Sequence, residues 1–305
     1  MGALVTGGTG FIGGHLVDKL VELGWDVIVI DDLSADSNVP YYNESKLVTY
    51  YINSICETEA LESTFKEHDI DCVFHLAAES RIPTSIKDPV NCTNVNVVGT
   101  CNLLQVARKY NVSRFIMSST SSAYGLTDKI PQVETLPVDC LNPYSVTKVS
   151  AESLCKMYTN LFDLETIIFR YFNVYGDRAP IRGQYCPVVG RFLDLYKAGK
   201  SMTIVGDGEQ RRDYVNVLDV VDANILAAQT KNKDAIGELI NIGTGTNYSV
   251  NELAKLIGGA YNYIDNRPGE ARVTLADISK AKTLLGWLPK NKLQDYIKEK
   301  LNDIT

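Results

Sequence analysis

The stretch ALVTGGTGFIGGHLVDKLVEL, residues 3–23, decides the fold. Its opening residues are a short apolar run closed by glycine, the pattern of a strand buried on both faces. Gly7, Gly10 and Gly13 follow at three-residue intervals, with Phe11 and Ile12 between them, and the chain then takes up a helical apolar period. Strand, glycine turn and helix in that order build a cradle for a dinucleotide pyrophosphate. Glycines allow close backbone approach, and the helix start offers unpaired amides. The spacing is GxxGxxG rather than GxGxxG, in the same structural setting.

Outward from that cradle, apolar strands alternate with amphipathic helices. WDVIVID (25–31), LVTYYI (47–52), DCVFHLAA (71–78), RFIMSS (114–119) and the LETIIFRYFNVYG segment read as five more strands. TEALESTFKEH, a region around Asn94 to Tyr110, and Asn142 to Leu161 read as helices. This alternation predicts an α/β fold, a doubly wound parallel sheet covered on both faces. From about Tyr175 the alternation weakens, so a smaller substrate-facing region is expected at residues 175–212 and 243–305. Residues 1–174 form the dinucleotide-binding part, to which 213–242 return.

Asp31 ends the second strand, 21 residues beyond Gly10. A carboxylate there accepts hydrogen bonds from an adenosine ribose and repels an added 2′-phosphate, which favours NAD over NADP. Asp32 shares that task or caps a turn.

Composition sets outer limits. The chain has 305 residues, 45% of them hydrophobic, with a net charge of -7. That balance argues against a phosphate-binding nucleic-acid surface. Seven scattered cysteines contain no CxxC pair, so neither a disulfide framework nor a metal site is expected. No apolar run reaches membrane-spanning length, and no leader-like region precedes ALVTGG, so the expected location is the cytoplasm.

YSVTK, residues 144–148, supplies the chemistry. Tyr144 and Lys148 stand at i and i+4 and share a helix face. A nearby ammonium lowers the cost of forming phenolate, which would let Tyr144 accept a hydroxyl proton. The upstream SSTSSAYG, residues 118–125, adds hydroxyls to the same site.

These motifs, with FHLAAES (74–80), NVNVVGT (94–100), NPYSVTK (142–148), RYFNVYG (170–176), RRDYV (211–215) and RPGE through LADISKA (267–281), resemble an extended short-chain dehydrogenase/reductase. More closely they resemble NAD-dependent UDP-glucose or UDP-N-acetylglucosamine 4-epimerases. The resemblance covers nearly the whole chain. It implies a Rossmann-like fold with a smaller C-terminal substrate-binding domain, a UDP-sugar or related substrate, and a homodimer built on two helices. Tyr144 would be the base, Lys148 its electrostatic partner, and Thr120 the hydroxyl on the sugar C4 oxygen. NAD would lie against the glycines and Ser54, Ile55, Leu76, Ala77, Ala78, Asn94, Ser118, Ser119 and Tyr171. Ser80, Asn173, Arg212, Arg267, Glu270 and Thr274 would face the nucleotide sugar.

Two departures matter. The related 4,6-dehydratases carry an Asp-Glu pair after the Thr120 position, where this chain has Ser121 and Ser122. A GDI-like acidic segment that holds adenine is replaced by Asn53, Ser54 and Ile55. Threonine at 274 permits an N-acetyl group at the sugar C2 without requiring one. A nucleotide-sugar dehydrogenase or reductase, a 4,6-dehydratase and a noncatalytic nucleotide-sugar-binding protein are the competing readings.

Overall fold

The structure, a computed structural model, describes residues 1–35, 39–180, 186–265 and 271–303. In its first half, β1 (Gly2–Thr6), α1 (Phe11–Glu22), β2 (Asp26–Ile30), β3 (Val48–Tyr51), α2 (Thr58–Glu67), β4 (Cys72–His75), α3 (Ile82–Lys87), α4 (Pro89–Thr93), α5 (Thr100–Lys109) and β5 (Arg114–Thr120) follow in order. A π-helical turn, Asn94–Gly99, joins α4 to α5. Next come α6 (Pro143–Phe162), β6 (Thr166–Tyr171), β7 (Asn173–Tyr175), α7 (Val188–Lys197), β8 (Met202–Val205), β9 (Arg211–Asn216) and α8 (Val217–Gln229). The chain closes with β10 (Leu239–Ile242), β11 (Asn247–Ser249), α9 (Val250–Ile257), β12 (Tyr261–Ile264), α10 (Ser279–Leu285) and α11 (Leu293–Asn302).

Among the described residues, seven strands form one parallel sheet in the order β10-β6-β5-β4-β1-β2-β3. Alternation along each strand divides its side chains between two cores. Ala3 and Val5 of β1 pack with Leu16, Val17 and Leu20 of α1 on one face. Leu4 turns to the other face, with Leu61 and Phe65 of α2 and Leu103 and Leu104 of α5. Strand order reverses between β1 and β4, the switch point outside which doubly wound sheets bind ligands.

The seventh strand, β10, lies beyond the six that the sequence pattern shows. Its four residues, LINI, sit between polar neighbours and give too short a run to separate from a loop. The RYFNVYG segment also divides. β6 stays in the large sheet, whereas β7 joins a three-stranded sheet ordered β11-β9-β7. A third core is built from Val189 and Phe192 of α7, Ile204 of β8 and Leu253 of α9. The last segment returns to the large sheet, where Ala281, Leu285 and Trp287 share the core of β1 and α1. No helix among the described residues is long and apolar enough to cross a membrane.

Candidate active site

A cavity of about 890 Å³ opens at the switch point, lined by Gly7, Gly10, Phe11, Ile12 and Gly13 at one end. Gly7 has φ +72°, and a Cβ there would lie 2.8 Å from the Ala77 amide nitrogen. A Cβ on Gly13 would lie 2.1 Å from the Gly7 carbonyl oxygen, a contact with backbone that no rotamer relieves. Gly10 caps α1 without a side-chain bond, so the first turn keeps its amides for an anion. Asp31 ties the turn to β2: its carboxylate accepts from the Thr9 amide at 3.0 Å and the Leu33 amide at 2.9 Å. Asp31 and Asp32 both line the cavity, as do Ile55, Leu76, Ala77 and Ala78.

Among the expected cofactor residues, Ser54 and Asn94 do not line this cavity. The Ser54 hydroxyl accepts from the Cys56 amide at 3.3 Å, and its neighbour Asn53 lines the cavity instead. Asn94 is exposed with its amide 3.6 Å from the Cys56 sulfur, and Val95 takes the lining position.

The reactive end is set by the start of α6. Asn142 and Ser145 form a capping box, and Pro143 takes the first helical position, where its missing N–H costs nothing. This start places Tyr144 and Lys148 one turn apart, and both line the cavity with Ser118, Ser119, Thr120 and Tyr171. Tyr171 takes hydrogen bonds from Ser118 at 3.1 Å and from Asn224 at 2.8 Å. The Tyr144 amide donates to Ser85 of α3 at 3.3 Å. Asn96, in the π-turn, donates to Thr147 at 3.0 Å and to the Glu79 carbonyl at 3.0 Å, joining α6 to the loop after β4.

The electrostatics differ from the sequence expectation in one respect. Burial pushes the Tyr144 hydroxyl up to about 12, with a hydrogen bond to Thr120 acting the other way. Burial also pushes Lys148 down to about 8. The site penalises both charges, so the ammonium alone does not bring Tyr144 into the neutral range.

At the far end, Ser80 and Asn173 line the cavity. Asn173 donates to the Asp213 carbonyl at 2.9 Å and to Thr274 Oγ1 at 3.3 Å, which puts the two sugar-facing candidates in contact. The buried Asp213 carboxylate accepts from Thr244, Gly245 and Ala276 amides and fastens their loops to β9. Arg211 is engaged by Asn247 and by Glu252 at 2.8 Å. Arg212 lies next to it on β9, half-buried, with Nη1 donating to the Arg211 carbonyl at 3.0 Å. Arg267 and Glu270 lie outside the described residues. The loop after β4 adds Glu79 and Arg81, an ion pair at 3.2 Å that also lines the cavity. The position of FHLAAESR after a switch-point strand is the signal that would have found it.

A glycine cradle at the switch point of a parallel sheet, opposite a Tyr-Lys pair on a helix start, defines an extended short-chain dehydrogenase/reductase. The chain belongs to the family described as GDP-mannose 4,6 dehydratase, whose family model it matches over residues 4–300. It is 36% identical to the UDP-glucose 4-epimerase of Mycolicibacterium smegmatis, over 97% of this chain and 96% of that protein. The solved UDP-glucose 4-epimerase of Thermotoga maritima, with UDP-glucose, superposes with a TM-score of 0.91 at 38% identity, over 99% and 98% of the two chains. The UDP-glucuronic acid 4-epimerase of Bacillus cereus, solved with UDP-glucuronic acid and NAD, gives 0.89 at 33% identity, over 100% and 99%.

Proposed function

We propose that this protein is an NAD-dependent nucleotide-sugar 4-epimerase that acts on a UDP-hexose through a transient 4-keto sugar. The observation that carries the reading is one cavity that joins the glycine cradle to Thr120, Tyr144 and Lys148, with Ser121 and Ser122 in place of a dehydratase's acidic pair. The likeness to 4-epimerases over nearly the full chain supports it.

Gly7, Gly10, Gly13 and the first turn of α1 would hold the pyrophosphate, and Asp31 the adenosine ribose. When bound, NAD supplies a reversible two-electron acceptor for the hydrogen on the sugar's C4. Tyr144 takes the C4 hydroxyl proton while Thr120 hydrogen-bonds that oxygen. Lys148 stabilises the phenolate, which burial otherwise opposes. Arg212, with Arg267, holds the diphosphate by charge-assisted bonds as the keto sugar turns and presents its other face. Tyr144 then returns the proton, so substrate and product differ only in configuration.

Dehydration requires groups that remove a proton at C5 and assist departure of the C6 oxygen, and the two serines are poor candidates for that. Purified protein incubated with UDP-glucose, UDP-galactose, both UDP-N-acetylhexosamines and UDP-glucuronate, then resolved by NMR, tests the assignment. C4 interconversion without net NADH is expected. Net NADH with no interconversion would refute it.

The same reading makes the protein a homodimer through α5 and α6. It is supported by exposed apolar side chains at Val98, in the π-turn that leads into α5, and at Val146 and Leu161 on α6. Sedimentation should give a dimer, and Leu161→Glu should shift it toward monomer.

A further inference from the structure

Glu152 and Arg170 have no place in the proton transfer, yet both are shut inside the protein, with side chains 6% and 2% exposed. Arg170 Nε meets Glu152 Oε1 at 2.9 Å, and Nη2 meets Oε2 at 2.7 Å. Glu152 Oε1 also accepts from the Ser119 hydroxyl at 2.5 Å, one residue before Thr120. On α6 the same residue lies one turn beyond Lys148. The guanidinium stacks 4.6 Å over the Tyr124 ring. An ion pair so buried gains little over apolar packing, so stability alone is a poor reason for it. Its neighbours supply a better one, because one carboxylate touches the strand end that carries Thr120 and the helix that carries Lys148.

The groups facing Lys148 narrow the source of its charge balance. Cys92 comes from α4, His75 from β4, and Cys155 and Glu152 from α6 itself. Burial pushes the Cys92 and Cys155 thiols up, which keeps them neutral in the physiological range. Burial likewise holds His75 neutral down to about 3. Cys155 and then Glu152 oppose the desolvation that lowers Lys148. Glu152 is the carboxylate among these groups, its charge shared with Arg170.

We propose that Glu152, clamped by Arg170, is a positioning residue that fixes the Ser119–Thr120 strand end against α6 and keeps Lys148 charged in a desolvating cavity. The consequence for turnover rests on the epimerase reading above, whereas the charge effect is measurable without substrate. Protein labelled with 15N at lysine Nζ gives that measurement by NMR, with the Lys148 resonance assigned by its loss in Lys148→Met.

Glu152→Gln keeps an oxygen for Ser119 and removes the charge. It should move the Lys148 midpoint down by about one pH unit, with the alkaline limb of C4 interconversion moving alongside. Glu152→Asp should return the midpoint to within about half a unit of the wild type. Glu152→Gln leaves Arg170 uncompensated, and that cation itself disfavours a charged Lys148. Glu152→Gln/Arg170→Met removes both charges, and a downward shift smaller than in Glu152→Gln is expected there, since Glu152 and not Arg170 stands one turn from Lys148. A wild-type midpoint in either folded charge-removed variant would overturn the proposal. Absence of epimerisation with a shifted Lys148 midpoint would instead refute the catalytic assignment and leave the charge effect standing.

Discussion

Burial pushes the Tyr144 hydroxyl up to about 12, so in the proposed reaction it relies on Thr120 and Lys148 to act as a base. Tyr144→Phe should therefore lower turnover by about 10²–10⁴-fold while calorimetry finds nucleotide-sugar binding largely retained. Activity close to wild type would refute the base assignment. Thr274 receives hydrogen bonds from Asn173 and the Asp213 amide, so its small side chain is fixed beside Asn173, which the proposed function turns to the sugar. Thr274→Tyr should selectively reduce turnover of UDP-N-acetylhexosamines, and an unchanged ratio to unmodified UDP-hexoses would remove Thr274 as the gate. The positions of the glycines, Tyr144 and Lys148 were legible because each sits at a local boundary between strand, turn and helix. The upward push on Tyr144 was not, since burial depends on α3, β5 and the π-turn closing around it. Nothing in the sequence pattern marks Glu152, four residues after Lys148, and only Arg170 of β6 shows where its charge goes.

At the scale of elements, the reactive site depends on where α6 begins. Asn142 accepts from the Ser145 amide at 2.9 Å, while Ser145 Oγ is 3.3 Å from the Asn142 amide. Asn142→Ala should cost about 1 kcal/mol in urea unfolding and should lower kcat more than it raises KM, because fraying displaces Tyr144. A loss of stability with unchanged kcat would separate the cap from the chemistry. Strands β1 to β6 were readable because each is an apolar run bounded by polar or glycine residues. The π-turn was not, since the phase shift that one extra residue imposes is lost in the short, mixed polar and apolar run NCTNVNVVGT. It nevertheless places Asn96 between α6 and the Glu79 loop.

For the whole molecule, acid sensitivity should be centred in the large sheet. His75 is buried between Thr6 and Thr100, each 2.8 Å from one ring nitrogen. Its folded value is depressed to about 3 from 6.5. As pH falls below 6.5, the unfolded chain takes up a proton that the native ring refuses, so stability is lost on acidification. Between pH 6.5 and 4.5 this share is about 2–3 kcal/mol. Urea midpoints measured across that range should fall less steeply in His75→Asn than in the wild type. Parallel slopes would show that carboxylates elsewhere govern the acid limb.

The division of RYFNVYG between two sheets fixes a length scale for the reaction. Tyr171 belongs to the large sheet and Asn173 to the small one, with Phe172 buried between them against Tyr124 and Ala276. Two residues of extended chain span roughly 7 Å, about the breadth of one hexose ring. In the proposed reaction, the wall against the cofactor at Tyr171 and the wall against the sugar at Asn173 are thus successive links of one backbone. A sugar that reverses its face must swivel within that fixed gauge, so a substitution that shifts Phe172 should disturb cofactor and sugar affinity together.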